Sequence, residues 1–214
     1  MRKTQRIIII IALVISLTAT LYIMGCMALW TGLHFWDGSF SRSVSDNEVR
    51  IRSDMVSDAA KWLGTQECSP QHEQLLLIYN GQESLPRGYE VTLSDNWCAA
   101  YGSTVAIENG LTRIIPTECG CERQIELWKQ ISCWTEKDTY LPLPGDYIYY
   151  NWNETPGLRD NTGWADHVGI VAGTAGPMIK VIEGNKDDSV TYRVISRWDY
   201  RIRGYGLPDY ASIG

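Results

Sequence analysis

Hydrophobic and polar positions divide the 214-residue chain into successive textures. Residues 1–30 are uncharged from Ile7 to Trp30 and carry Arg2, Lys3 and Arg6 before that run. Residues 31–50 mix Gly, Ser, Asp and Asn with no sustained period and read as a linker, with Phe35, Trp36 and Phe40 as its aromatics. From about Ile51 the spacing turns helical. Met55, Ala59, Trp62 and Leu63 share a face, and Ser53-Asp54 stands where a cap is needed. A second helix is predicted over 70–80, with Leu75, Leu76, Ile78 and Tyr79. A third carries Ala99, Ala100, Val105 and Ala106 and stops at Asn109-Gly110. A fourth, over 119–131, is built on Ile125, Trp128 and Ile131. Past Pro142 the pattern becomes short β-rich runs at 146–152, 167–172, 178–183, 190–196 and 200–205, separated by Gly, Asn and Asp turns. Helices first and strands after them predict one α+β domain over 51–210, its helices packed on an antiparallel sheet.

The N-terminal run changes the expected compartment. About 20 apolar residues span a bilayer core, and the flanking positive charge keeps residues 1–6 in the cytoplasm. The segment therefore reads as a signal peptide, a lipoprotein signal or a transmembrane anchor. Ile23-Met24-Gly25-Cys26 resembles a lipobox in which Met24 fits poorly, while the length of the run suits an uncleaved signal anchor; both readings stay open. In either case the domain is expected on the cell-wall side of a bacterial membrane, tethered to it. The net charge of −6 argues against a nucleic-acid partner, which calls for a basic stripe. Nine Trp and twelve Tyr against two Phe favour amphipathic rings, suited to clefts and wet interfaces.

The candidate chemistry begins at Cys98, which opens a predicted helix after the polar Asp95-Asn96 loop. A helix N-terminus lowers a thiol's pKa and favours the nucleophilic thiolate. On spacing alone, such a cysteine is more often an inert buried one. His167 opens a predicted strand after Gly163-Trp164-Ala165-Asp166, whereas His34 falls in the linker and His72 in an early helix. A histidine there is placed to act as base to a thiol on a facing helix. Glu183-Gly184-Asn185 ends the next predicted strand. Strand alternation puts 183 and 185 on one face, and antiparallel pairing brings them beside His167, where a carboxylate or amide fixes the imidazole tautomer.

These residues together resemble a known family. Trp97-Cys98-Ala99, the Leu143-Pro144-Gly145-Asp146 turn, Asp166-His167-Val168-Gly169-Ile170-Val171 and Ile182-Glu183-Gly184-Asn185 are similar, in order and spacing, to the marks of CHAP domains. Those are cysteine, histidine-dependent amidohydrolases/peptidases, relatives of the NlpC/P60 peptidases with a papain-like fold. The resemblance covers roughly residues 52–210. It implies Cys98 as nucleophile, His167 as base, Glu183 as the orienting group and Asn185 as a further polar member. It also implies cleavage of a peptidoglycan amide, either at N-acetylmuramoyl-L-alanine or in stem peptides and cross-bridges.

Some phage members bind calcium through acids just before the cysteine. Here only Asp95 stands in that stretch, so no metal and no cofactor is expected. With Cys98 catalytic and Cys26 lipidated, Cys68, Cys119, Cys121 and Cys133 remain, enough for two bridges in an oxidising compartment. A zinc site is the rival use, but the usual C-x₂₋₄-C pairs and a nearby His are missing. Trp97, Trp152 and Trp164 are the candidate substrate-binding aromatics, with Tyr149 nearer to core packing, and loop 153–165 is a candidate gate. Peptidoglycan and the membrane are the expected partners, along with a protein complex of the cell envelope. The alternative readings are a non-catalytic wall-binding or scaffold module, and a cysteine hydrolase of another amide.

Overall fold

The computed structural model describes residues 44–154 and 163–213. The predicted membrane segment, Cys26, His34 and the middle of the 153–165 loop lie outside the described residues. Within them no helix is long and apolar enough to cross a membrane. All belong to one compact unit, Gly38–Gly214.

The order is four helices and then strands: α1 (Asp46–Lys61), α2 (Pro70–Asn80), α3 (Cys98–Glu108) and α4 (Cys121–Gln130), followed by β1 (Trp134–Thr135), β2 (Tyr147–Tyr150), β3 (His167–Ala175), β4 (Met178–Lys186), β5 (Ser189–Ser196) and β6 (Ile202–Gly206). The strands form one antiparallel sheet in the order β1-β6-β2-β3-β4-β5. The molecule is α+β, as the run of helices followed by strands predicts. The short edge strand β1 carries too few residues to show alternation.

Helix α1 starts at Asp46, inside the stretch read as linker, and its cap is Ser45 rather than Ser53. The Ser45 side chain accepts a hydrogen bond from the Glu48 N–H. The early turns escape an apolar-periodicity reading because their buried face is charged. Glu48 and Arg52 are each 3% exposed and paired at 2.9 Å. Arg52 also bonds the Asp146 carboxylate at 2.9 Å and the Pro144 carbonyl at 2.8 Å, and lies over the Tyr210 ring. Asp146 further accepts from Tyr140 Oη and from the Leu143 N–H. The Leu143–Asp146 turn is therefore an anchor joining α1 to the entrance of β2. Burial raises the Asp146 pKa, against the pull of Arg52 and Tyr140.

Helix α3 is the central element. It is buried from Cys98 through Ala106 and packs on α1, α2, β3 and β4. Small residues (Ala99, Ala100, Gly102, Ser103) allow the approach: a Cβ on Gly102 would stand 2.8 Å from the Tyr147 ring, whose hydroxyl donates to the Gly102 carbonyl. In β2, Tyr147 and Tyr149 face the helices while Ile148 and Tyr150 enter a smaller core on the other face with Val171, Val181 and Ile195. Both faces are thus covered, and β2 reads as a continuous buried run. Tyr149 satisfies its hydroxyl with Gln124 and Trp128, which makes it a core residue.

Candidate active site

Cys98 is the first residue of α3. Residue 97 caps this helix without a side-chain hydrogen bond, as Gly120 does for α4, whereas Ser45 and Ser69 cap α1 and α2. The first N–H groups of α3 and α4 are therefore spared for other acceptors. Cys98 is 4% exposed. Its pKa is held well below the ordinary thiol range, chiefly by a hydrogen bond from Cys121. Burial opposes this, and the neighbouring His167 imidazole and the Val168 N–H reinforce it.

His167 opens β3, so its ring stands at the end of the sheet nearest α3. Its Nε2 meets Glu183 Oε2 at 3.1 Å, which leaves Nδ1 as the ring nitrogen available to the Cys98 sulfur. Burial alone would lower the His167 pKa; Cys98 and Glu183 outweigh it and raise it to about 10. The two shifts run in opposite directions and together favour a thiolate beside an imidazolium. Tyr150 and Trp152 flank the ring, with centroids 6.0 and 6.3 Å away.

Glu183 is fully buried on β4. Burial works against its charge, and His167 and Arg193 overcome it, keeping its pKa below the usual carboxylate value. Arg193, on β5, places Nε 2.7 and 2.8 Å from the two carboxylate oxygens. Sequence reading missed this residue, whose one signal was alternation along β5. Gly169 makes room for the arrangement: a Cβ there would stand 2.7 Å from Glu183 Cγ and 2.5 Å from Val181.

Asn185 departs from the expected geometry. A register shift between Glu183 and Lys186, with Asn185 at φ +56°, interrupts the alternation that would set it on the face of Glu183. Its Nδ2 instead donates to Asn96 Oδ1 at 3.3 Å, in the loop that delivers Cys98.

The aromatics divide as well. Trp97 is fully buried, with its indole 4.4 Å from the His72 ring and its Nε1 donating to Glu67. It is a core residue supporting the nucleophile loop, which corrects its assignment as a substrate contact. His72 is likewise buried, with burial lowering its pKa. Trp152 stacks on Tyr150 at 4.9 Å and lies under the Arg193 and Arg201 guanidiniums at 4.4 and 4.8 Å, so its ring is occupied by protein groups. Trp164 is 68% exposed and free to meet a ligand. Asp166 accepts from the Trp152 N–H and Glu122 from the Ala165 N–H, which fixes the two ends of the 153–165 loop beside the site.

Cys121 is the residue that sequence reading misplaced. The sequence places it among the bridge-formers, whereas its sulfur lies 3.6 Å from that of Cys98. All five described cysteines are free, so the expected bridges among Cys68, Cys119, Cys121 and Cys133 are not formed. Among the described residues no group of His, Cys, Asp and Glu is arranged to hold a metal ion.

No family model and no curated protein sequence matches the chain. Solved structures that are similar in part include the following three. The crystal structure of Ly7917 has a TM-score of 0.44 and 14% identity over 74% of this chain and 62% of that one. Ly7917 with the hydrolyzing product of MDP gives 0.42 and 13%, over 73% and 62%. NlpC1 from Trichomonas vaginalis gives 0.39 and 14%, over 82% and 48%. The chain thus spans less than two thirds of the length of each.

Proposed function

We propose that this domain is a cysteine-dependent amidohydrolase of the CHAP and NlpC/P60 type, with a papain-like arrangement, that cleaves a peptidoglycan amide on the wall side of the membrane to which residues 1–30 tether it. The observation that carries the reading is the buried line Cys98–His167–Glu183, assembled from a helix N-terminus and two adjacent strands. A thiolate, an imidazolium and an orienting carboxylate in that order are the parts of nucleophilic acyl transfer.

The mechanism follows from the charges. The Cys98 thiolate attacks the amide carbonyl and needs no base, because its proton already resides on His167. Uncapped N–H groups at the start of α3, that of Cys98 included, face the developing oxyanion. His167 gives its proton to the departing amine and then takes one from the water that releases the acyl group. Glu183, held by Arg193, stabilises the imidazolium through Nε2. Asn185 acts from the Asn96 side, on the loop leading to the nucleophile, and Trp164 offers the exposed ring for a sugar or stem peptide.

The test is digestion of purified peptidoglycan by the wild type and by Cys98→Ala, with soluble muropeptides identified by mass spectrometry. Release by the wild type, with none by Cys98→Ala, is the expected result, and the products name the bond. Equal release by both would end the reading.

A further inference from the structure

The acyl-transfer chemistry uses one thiol, and the site contains two. Cys98 Sγ and Cys121 Sγ are 3.6 Å apart, both buried and neither in a disulfide. Bonded sulfurs lie about 2.05 Å apart, so this pair is in contact but unjoined. Each sulfur belongs to the first residue of a helix that lacks a side-chain cap. The ends of two helices therefore converge on one dithiol.

The two thiols are not equivalent. Cys98 has His167 beside it, which favours its thiolate form. Cys121 shares a hydrogen bond with Cys98, and that bond together with burial and the proximity of Cys98 raises its pKa. An ionised sulfur touching a protonated one is the pairing in which the first reacts with an oxidant and the second resolves the product. Of the other described cysteines, Cys119 donates to Glu118, and Cys68 is exposed and directed at the Leu93 carbonyl.

We propose that Cys98 and Cys121 form a dithiol site that an oxidant of the peroxide class converts into a reversible disulfide. The Cys98 thiolate attacks one peroxide oxygen, and the O–O bond breaks. The released hydroxide takes a proton to become water, leaving Cys98 as a sulfenic acid. The Cys121 sulfur then attacks the Cys98 sulfur, the S–O bond breaks, and the hydroxide leaves as water with the Cys121 proton. Two thiols and one peroxide thus give one disulfide and two waters, and a dithiol reductant reverses the product. The consequence that wall cleavage stops rests on Cys98 being the nucleophile of the proposed hydrolase. The bridge itself does not.

The experiment uses the full-length protein and hydrogen peroxide. Oxidised and untreated samples are digested without reduction, cross-linked peptides are identified by mass spectrometry, and iodoacetamide labelling of Cys98 is followed before and after dithiothreitol. The wild type is expected to give a Cys98–Cys121 peptide pair, to lose at least about tenfold in labelling rate and to regain it on reduction. Cys121→Ser is expected to lose labelling irreversibly, with Cys98 found as sulfinic or sulfonic acid. Absence of the pair from the wild type, a bridge from Cys98 to Cys119 instead, or full recovery of Cys121→Ser would overturn the proposal. The wild-type peptide map decides the matter even if Cys121→Ser does not fold. A protein that forms the bridge yet releases no muropeptides refutes the hydrolase and leaves the dithiol site standing. One that digests peptidoglycan without forming the bridge does the reverse.

Discussion

Glu183 shows how much charge balance the site needs. It is a fully buried carboxylate, stable as such because an imidazolium and a guanidinium share it. Glu183→Gln keeps the shape and removes the charge. It is expected to lower kcat about tenfold to a hundredfold, since hydrogen bonds to charged groups contribute roughly 1.5–3 kcal/mol. Asn185→Ala, which removes the Asn96 contact and sets alanine at a positive φ but leaves the Glu183 charge in place, is expected to cost less in kcat. The reverse ranking in steady-state kinetics would shift the orienting role to Asn185.

The same charges set a pH signature. The folded His167 keeps its proton up to about 10, against an ordinary 6.5, so its contribution to stability is whole below 6.5 and is lost as pH rises from there through about 10. Cys98 has the opposite sign: its folded pKa lies well below 9.0, so its contribution grows as pH rises towards 9.0. Between about 6.5 and 9.0 the two proton balances oppose each other. Melting temperature is therefore expected to be nearly flat over that window and to fall above it. A steady decline beginning at 6.5 would mean that the thiol is not ionised.

At the scale of elements, what could be read from the sequence followed the kind of period involved. Helices α2 and α3, and the strands carrying His167 and Glu183, announce themselves by apolar spacing and turn residues. The start of α1 does not, because its inner face is the Glu48–Arg52–Asp146 cluster, and no apolar periodicity detects a buried ion pair. The place of Cys121 was hidden for another reason. It is 23 residues from Cys98 in the chain, and only the packing of α4 against α3 joins them. The break at Asn185 hid in a strand end that reads as regular.

These elements carry their own predictions. Asp146→Ala leaves the buried Arg52 guanidinium with Glu48 and the Pro144 carbonyl but takes away its second carboxylate and the acceptor of Tyr140, and is expected to destabilise the fold by about 1–3 kcal/mol, read as a Tm lower by roughly 5 °C. An unchanged melt would remove the anchoring role of the Leu143–Asp146 turn. Gly169→Ala pushes on Glu183 through β3 itself. It is expected to reduce kcat with little change in KM, and wild-type kinetics would show that β4 yields without cost.

For the whole molecule, the sheet is a two-sided floor on which helices α1–α4 deliver one residue each to lasting effect: Arg52 for anchoring, His72 behind the nucleophile loop, Cys98 for chemistry and Cys121 beside it. The expected tether acts at this scale, since a catalytic unit held near the membrane reaches only nearby wall. Full-length protein is expected to sediment with membranes and to leave them in detergent, whereas a chain beginning at residue 44 stays in the supernatant. Full-length protein that remains soluble after fractionation would contradict the tether.

Everything functional depends on the charge state of one sulfur. The direct measurement is the rate of iodoacetamide alkylation at Cys98, followed by peptide mass spectrometry from pH 4 to pH 10, in wild type and His167→Ala. The wild type is expected to react at a nearly constant rate through neutrality, with its inflection well below the ordinary thiol value of about 8.5. His167→Ala is expected to move that inflection upward towards an ordinary thiol. A wild-type profile that rises only near 8.5, or one indifferent to His167, would contradict the thiolate–imidazolium pair.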